Sequence, residues 1–144
     1  MSPGRMNQER VRRHLMALDE KLTRLGTDKG QDVKMLTENS DERWSVERGL
    51  QLCTQCVLDI ATHLVASAGR DAPDYATAVE TLGELNILTP QFAAKLRPLA
   101  GFRNALVHGY LDIDVERLHE VLNEHLDDIR EFIRCINAFL LAQE

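Results

Sequence analysis

The sequence is poor in aromatic residues, proline and glycine. Aromatic residues make up 5% of its 144 residues, and it has 4 prolines and 8 glycines. The abundant residues are instead leucine, glutamate, arginine and alanine, which favour helices over β-sandwiches and barrels. A chain of this length can bury one compact core. The sequence therefore predicts an all-α protein with a single domain over residues 1–144.

Segments for export or membrane insertion are also missing. No stretch approaches the ~20 consecutive apolar residues that a membrane helix requires. The N-terminal region, Met1 to Arg13, is polar and basic and lacks the apolar segment of a signal peptide. We therefore expect a cytoplasmic protein that does not associate with membranes.

Cysteine is scarce, and Cys53, Cys56 and Cys135 are the 3 thiols. An odd number of cysteines without an export signal argues against a disulfide framework. Cys53 and Cys56 form a C-x-x-C pair, but no second C-x-x-C or H-x-x-x-H is present to complete a tetrahedral zinc site. Because the pair lies within an apolar helical pattern, we interpret both residues as core, where a free thiol behaves as a small hydrophobe.

Acidic residues are absent from one long segment of an otherwise acidic chain. The net charge of -6 argues against a broad nonspecific nucleic-acid binder, which usually has a basic surface. Between Glu84 and Asp112, however, there is no carboxylate, and the segment contains Lys95, Arg97 and Arg103. The sequence therefore predicts a locally positive region.

Apolar residues repeat with helical spacing along most of the chain. The first stripe ends at Gly26 and consists of Val11, Leu15, Leu18, Leu22 and Leu25. Ser40 or Asp41 is expected to cap a second helix, which is expected to run to about Ala68. Its apolar face is predicted to contain Trp44, Cys53, Cys56, Val57, Ile60, Leu64 and Val65. Trp44 and Phe102 are expected in the core or in an interface.

Shorter helices and one more long helix are expected after these. A helical turn is expected at 34–38, and a helix is expected from Pro73 to about Leu88. Thr89 and Pro90 are expected to open the next helix, which Pro98 ends, and a further helix runs through His108. Asp112 or Asp114 is expected to cap the last helix. The last stripe is Val115, Leu118, Leu122, Leu126, Ile129, Ile133, Ile136 and Leu140. Amphipathic helices must pack together to bury these faces. The prediction is an antiparallel helical bundle with long first, second and last helices and shorter helices between them.

The segment from Arg103 to Tyr110 combines residues that suit cleavage of RNA by its own 2′-hydroxyl group. His108 can take or give a proton near neutral pH, which this transesterification requires. Arg103 offers a fixed charge and a bidentate fork to the phosphate, and Asn104 could orient a phosphate oxygen or a base edge. This chemistry requires neither a metal ion nor a cofactor, so we expect none.

Arg103 and His108 do not share one face of a regular helix. Five residues correspond to about 500° of rotation, so the two side chains point about 140° apart. A joint active site requires either that the helix ends at His108, where Gly109 lets the chain turn, or that a second subunit supplies another copy of the segment. Arg103 and His108 could also have a purely structural role, because arginine and histidine near a helix end commonly hydrogen-bond carbonyl groups and interact favourably with the helix dipole.

Asp59 and His63 are four residues apart on one helical face and could hydrogen-bond each other. Asp59 could orient the active site, and His63 could contact substrate. The alternative is a polar pair at the edge of the core. The remaining histidines, His14, His119 and His125, are expected to be solvated.

The pattern Arg103-Asn104-x-x-x-His108-x-Tyr110 resembles the R-x4-H-x-Y motif of the HepT-like toxins in the HEPN superfamily of helical ribonucleases. The segments 47–52 and 59–64 also resemble the second helix of that family. The order of long and short helices agrees as well. The resemblance covers roughly Arg5 to Leu140.

This resemblance implies a HEPN-type helical bundle that acts as a metal-independent endoribonuclease toxin in a type VII-like toxin–antitoxin system. The toxin would cleave tRNA or mRNA and would form a homodimer in which two copies of the motif meet. Its partner would be a nucleotidyltransferase antitoxin that transfers AMP to the motif tyrosine, here Tyr110. Arg103 and His108 would be catalytic, and Asn104 would orient the substrate.

Two other functions are compatible with parts of the sequence. The chain could be a noncatalytic HEPN module whose cleft binds a nucleotide or the partner nucleotidyltransferase. It could also be a structural helical dimer without a ligand, because apolar stripes are expected of any bundle core. The complete motif favours the ribonuclease over both.

Overall fold

The computed structural model describes residues 7–26, 32–108 and 114–143, and none of these lies in a β-strand. The helices are α1 Gln8–Gly26, α2 Val33–Glu38, α3 Ser40–Ser67, α4 Tyr75–Glu84, α5 Pro90–Leu96, α6 Leu99–Val107, α7 Val115–Glu120, a π-helical segment Val121–His125, and α8 Leu126–Ala142. The predicted all-α class is confirmed. Within the described ranges, no helix has the length and apolarity needed to span a membrane.

Helices α1 and α3 pack against each other in opposite directions. Near the start of α1, the Asn7 backbone N–H donates to His63 Nε2 in the last part of α3, at 3.2 Å. Near the end of α1, Leu25 lies so close to Gly49 that a Cβ at this position would be 2.7 Å from Leu25 Cδ2. The antiparallel arrangement of the two long helices therefore follows from contacts at both ends.

The start of α3 differs from the expectation by one residue. Asn39 caps this helix, because its side-chain oxygen accepts from the Glu42 backbone N–H at 3.1 Å. Ser40 and Asp41, the two predicted caps, are its first helical residues. The predicted end is confirmed, since α3 ends at Ser67 with Ala68 as its C-cap.

Trp44 was expected in the core or in an interface, and its core assignment is wrong. The side chain is 68% exposed, and the buried residues of α3 begin at Val46. Two residues correspond to about 200° of rotation, so Trp44 and Val46 lie on opposite sides of the helix. Phe102 is buried, at 5% exposure, as expected.

Helix α4 is shorter than the sequence indicated. It was expected from Pro73 to about Leu88, but Asp74 caps it by accepting from the Thr77 backbone N–H at 2.7 Å. Pro73 thus lies outside the first turn. The helix ends early because the chain turns at Asn86, which has a φ of 59°.

The chain then makes two short helices whose boundaries agree with the sequence. Thr89 caps α5 and Pro90 is its first residue, while Pro98 lies at the start of α6. Helices α4 and α5 approach closely because Gly83 has no side chain; a Cβ there would lie 2.9 Å from Ala93 Cβ. Helix α6 lies beside α3 and α4.

The last long helical region is interrupted by a π-helical segment that the apolar stripe did not reveal. Asp114 caps α7 by accepting from the Glu116 backbone N–H at 3.0 Å, and Asp112, the other predicted cap, lies outside the described residues. Leu118, Leu122, Leu126, Ile129, Ile136 and Leu140 of the predicted stripe are buried, whereas Val115 and Ile133 are half-buried. Phe132 is a fully buried residue of α8 that the stripe omitted.

Candidate active site

Helix α6 carries Arg103 and Asn104, two of the residues that the sequence singled out. It ends at Val107, and His108 is its C-cap, with its backbone N–H donating to the Asn104 carbonyl at 3.1 Å. The helix therefore ends at His108, as one of the two predicted arrangements required. Asn104 and His108 are exposed, whereas Arg103 is half-buried.

Arg103 is fixed on the α3 side of this helix by neutral partners. Its Nε–H donates to Gln55 Oε1 at 2.9 Å, and its Nη1 donates to Asn104 Oδ1 at 3.1 Å. Its Cζ lies 5.2 Å from the centre of the Tyr75 ring. A guanidinium over an aromatic face at this distance is stabilised by the ring quadrupole.

The charge of Arg103 is not neutralised by these contacts. Within the described residues, no carboxylate forms an ion pair with it. A guanidinium has five N–H donors, of which these two hydrogen bonds use two. The other three donors can address a phosphate.

A surface groove of about 770 Å³ lies along α6 and contains His108. Its wall also includes Arg97, Arg117 and Asp114; we call it the His108 groove. Arg117 comes from α7 and stacks over the Phe102 ring, with its Cζ 5.7 Å from the ring centre. Arg103 is not among the described residues that line this groove.

A second groove, of about 590 Å³, contains Asn104 and Tyr75; we call it the Asn104 groove. Both grooves share Ala76, Ala100 and Gly101 in their walls. A Cβ at Gly101 would have no neighbour within 4 Å. The α6 surface between the two grooves is therefore open.

The predicted locally positive region is largely neutralised by acids from other helices. Lys95 Nζ lies 3.0 Å from Asp128 Oδ1, and Arg97 pairs with Glu80. Arg117, which lies outside that segment, pairs within its own helix α7, with its Nη1 2.9 Å from Glu120 Oε1. A segment that lacks acidic residues in the sequence can therefore still have its basic residues paired with acids from other helices. Arg103 differs from Lys95 and Arg97 because its partners are neutral.

Asp59 and His63 make hydrogen bonds to residues other than each other. Asp59 Oδ1 accepts from Gln55 Nε2 at 2.8 Å, so it is linked to Arg103 through one side chain. His63 Nε2 accepts from the Asn7 backbone. Burial, followed by the charges of Arg10 and His14, lowers the pKa of His63. A neutral ring is what this contact needs, which favours a role for His63 at the start of α1.

The cysteines of the C-x-x-C pair lie in α3. Cys53 is fully buried, and burial is the main cause that raises its pKa to about 12. Burial also raises the pKa of Cys56, which is half-buried. Both thiols are therefore protonated near neutral pH, as expected of packing residues.

Glu120, Glu124 and His125 are the described residues whose arrangement could hold a metal ion, since their ligand atoms lie within 4.8 Å of one another. The π-helical segment explains this, because it brings Glu120 and His125, five residues apart, within 3.4 Å. Glu120 also pairs with Arg117, and His125 lies 3.2 Å from Asp128. A cation would have to compete with these partners. His125 is therefore less solvated than the sequence suggested.

Tyr110, the predicted modification site, lies outside the described residues, as does Gly109. Sequence reasoning missed Gln55, Tyr75 and Arg117, which surround the motif. The spacing of Gln55 and Asp59, one helical turn apart, could have suggested that pair. No sequence pattern could have placed Tyr75 of α4 under Arg103.

Comparison with known proteins identifies the family. The family model described as "Ribonuclease HepT-like" matches residues 7–136. A protein named "tRNA nuclease HepT" from Aphanizomenon flos-aquae is 34% identical over 106 residues, which cover 72% of this chain and 71% of that protein. An "mRNA nuclease HepT" from Shewanella oneidensis is 30% identical over 95 residues, covering 65% of this chain and 71% of that protein.

A solved structure has the same fold. It is a tri-AMPylated HEPN toxin from Shewanella oneidensis in complex with its MNT antitoxin, and it superposes with a TM-score of 0.79 at 23% identity. The superposition covers 89% of this chain and 96% of that chain. The helix order and the family match lead to one conclusion: the chain belongs to the HepT-like ribonuclease family and has the HEPN-type helical fold.

Proposed function

We propose that this chain is an endoribonuclease toxin that cleaves RNA without a metal ion. The observation that carries the proposal is the state of Arg103, whose charge is oriented by Gln55, Asn104 and Tyr75 without an ion pair among the described residues. His108 lies at the end of the same helix. Because related proteins are named as nucleases of tRNA and of mRNA, we propose these two classes of RNA as substrates.

In the proposed reaction the 2′-oxygen of a ribose attacks the adjacent phosphorus. A base removes the proton of the 2′-hydroxyl, the bond from phosphorus to the 5′-oxygen breaks, and an acid protonates that oxygen. The products are a 2′,3′-cyclic phosphate and a 5′-hydroxyl. His108 supplies a proton-transfer group, Arg103 stabilises the charge that grows on the phosphate, and Asn104 orients the substrate.

The active unit that we propose is a homodimer. Arg103 is fixed against α3, whereas His108 lines a groove on another side of α6. A two-fold dimer places the same surface of each subunit against the other. If α6 lies at this interface, Arg103 of one subunit can act on the same phosphate as His108 of its partner.

The proposed regulator is a nucleotidyltransferase antitoxin that transfers AMP to Tyr110. An adenylyl group adds bulk and negative charge two residues after His108 in the sequence. It would attract Arg103 electrostatically and compete with the phosphate of RNA. Intact-mass analysis of the coexpressed pair should show added adenylyl groups on wild type and none on Tyr110→Phe. Addition to the variant would place the modification on another residue.

The first experiment replaces His108 by Ala and follows RNA cleavage in excess EDTA. Wild type should cleave under these conditions, and His108→Ala should lose activity by at least about 100-fold, because it lacks the proton-transfer group. His119→Ala is the matched control, since His119 is a half-buried histidine of α7 outside both grooves. Cleavage by a folded His108→Ala variant at the wild-type rate would remove His108 from the mechanism.

The dimer is tested by mixing two inactive variants, Arg103→Ala and His108→Ala, under conditions that let subunits exchange. If each site combines Arg103 and His108 from different subunits, each mixed dimer has one intact site, and an equal mixture should recover about a quarter of wild-type activity. If one subunit supplies both residues, no activity returns. Light scattering checks that the protein is dimeric throughout.

A further inference from the structure

The side chain of Gln55 lies at the centre of the contacts that hold Arg103. Its Oε1 accepts from Arg103 Nε at 2.9 Å, while its Nε2 donates to Asp59 Oδ1 at 2.8 Å and to Tyr75 Oη at 3.2 Å. A glutamine amide has two donors and a carbonyl acceptor. All these groups are used, so the amide is satisfied on each side.

The orientation of this amide is dictated by its neighbours. A guanidinium is only a donor, and an ionised carboxylate is only an acceptor. The oxygen of Gln55 must therefore face Arg103, and its nitrogen must face Asp59. Asp59 thereby fixes the rotation of the Gln55 amide, and the amide fixes the Nε side of Arg103.

Tyr75 holds the same guanidinium by its flat face. The Arg103 Cζ lies 5.2 Å from the ring centre, and the Tyr75 hydroxyl accepts from Gln55. One side chain thus holds the edge of the guanidinium, and another supports its face. A planar fork held in two directions has a defined orientation toward a ligand.

The position of Gln55 between Asp59 and Arg103 has a consequence for charge. A carboxylate in direct contact with Arg103 would orient it but would also neutralise it and compete with phosphate. The amide transmits the orientation from Asp59 without adding negative charge at Arg103. The neighbouring cations Lys95, Arg97 and Arg117 are paired directly with acids.

We propose that Gln55, supported by Tyr75, is the positioning residue that holds Arg103 toward the scissile phosphate while leaving its positive charge available. This proposal rests on the proposed ribonuclease function. It assigns no contact with RNA to Gln55, which acts only through Arg103.

Two substitutions of Gln55 separate orientation from charge. Gln55→Met keeps the approximate length and removes the hydrogen bonds, so kcat should fall about tenfold to 100-fold because Arg103 loses its defined position. Gln55→Glu keeps an acceptor for Arg103 but adds a carboxylate. KM should rise. The slope of log KM against log salt concentration should decrease by the amount expected for the loss of about one phosphate contact.

Gln51 provides a matched control on the same helix. It is also half-buried, and its Oε1 accepts from an arginine, Arg48 Nη1, at 3.3 Å. Gln51→Met and Gln51→Glu should leave kcat, KM and the salt slope near wild type. If Gln55 contributed only to the fold, Gln55→Met and Gln55→Glu would change thermal stability. They would not then differ in whether kcat or KM is affected.

Tyr75 gives a second pair of variants in case the Gln55 variants do not fold. Tyr75→Phe keeps the ring and loses the hydroxyl that accepts from Gln55, so it should lower kcat only slightly. Tyr75→Leu removes the aromatic face and should lower kcat more than Tyr75→Phe does. Equal activity of these two folded variants would remove the ring from the proposal.

The position of Arg103 can also be measured without activity. In wild type, the Nε–H of Arg103 should give an NMR signal protected from solvent exchange, and this protection should be lost in Gln55→Met but kept in Gln51→Met. The proposal is overturned if protection persists in Gln55→Met, or if both Gln55 variants cleave like wild type while Arg103→Ala is inactive. If Arg103→Ala itself cleaves like wild type, the proposed role of Arg103 fails, and the NMR result still decides whether Gln55 positions it.

Discussion

Two arginines, Arg103 of α6 and Arg117 of α7, are held over aromatic rings in almost the same way. Arg103 lies 5.2 Å from the ring centre of Tyr75, and Arg117 lies 5.7 Å from that of Phe102. Their hydrogen-bond partners differ. Arg103 donates to the amides of Gln55 and Asn104, whereas Arg117 donates to the Glu120 carboxylate.

This difference separates a cation that is available to a ligand from one that is already paired. Both side chains are oriented, so orientation alone does not distinguish them. The carboxylate of Glu120 compensates the charge of Arg117 locally, whereas no described carboxylate does so for Arg103. Among the arginines near α6, the chemistry of the partners therefore favours Arg103 as the phosphate-binding residue.

The largest effect is expected from exchanging each arginine for alanine. Arg103→Ala should lower kcat/KM by about 100-fold to 1,000-fold, because a charge aimed at the reacting phosphate is removed. Arg117→Ala should lower it less than about threefold, because the charge of Arg117 is already paired with Glu120. The measurement is cleavage of one labelled RNA by both variants. Equal losses of kcat/KM would mean that the two arginines contribute equally to cleavage, whether their hydrogen-bond partners are amides or a carboxylate.

A smaller effect is expected when Arg117 is released from its acid. Glu120→Gln should lower KM for RNA on the order of threefold and should steepen its salt dependence, because Arg117 lines the His108 groove and would be free to contact phosphate. Glu131→Gln is the control, as it releases Arg134 from a similar ion pair outside both grooves. An unchanged salt dependence in Glu120→Gln would show that RNA does not reach Arg117.

The smallest effect concerns stability at acidic pH. Hydrogen bonds from His125 and then Arg117 hold the pKa of Glu120 below its ordinary value of 4.5. Between the lowered pKa and 4.5 the unfolded chain binds more protons than the folded one, so this contribution to stability is lost as pH falls through the folded-state pKa. Because the Glu120 side chain is 44% exposed, solvent screens the interaction and the loss should be small.

This pH effect can be measured by urea unfolding at a series of acidic pH values. The difference in unfolding midpoint between wild type and Glu120→Gln should shrink as pH falls through this range. Gln51→Met should show no such pH-dependent difference from wild type, because the hydrogen-bond partner of Gln51 is Arg48 and not a carboxyl group. A constant difference between wild type and Glu120→Gln would mean that the ion pair does not contribute to acid sensitivity.

Much of the fold was predictable because burial follows helical periodicity. The whole stripe from Val11 to Leu25 is buried, and Thr89-Pro90 and Pro98 mark real helix starts. The errors occurred at the start of α3, where neighbouring residues can each serve as the cap and where one position along the helix decides whether a side chain is buried. Asn39 rather than Ser40 or Asp41 caps α3, and Trp44 is exposed although the other residues of the predicted apolar face of α3 are buried or half-buried.

The sequence by itself determined the all-α class, the long helices and the family motif, because apolar spacing, short-range capping and a short motif are properties of residues close together in the chain. Only the tertiary structure decided which charges remain available. Lys95, Arg97 and Arg103 belong to one segment without acids, yet Asp128 and Glu80 approach the first two from other helices, whereas Gln55 and Tyr75 approach Arg103. Partners distant in sequence set the charge of the candidate site, so no local pattern could reveal it.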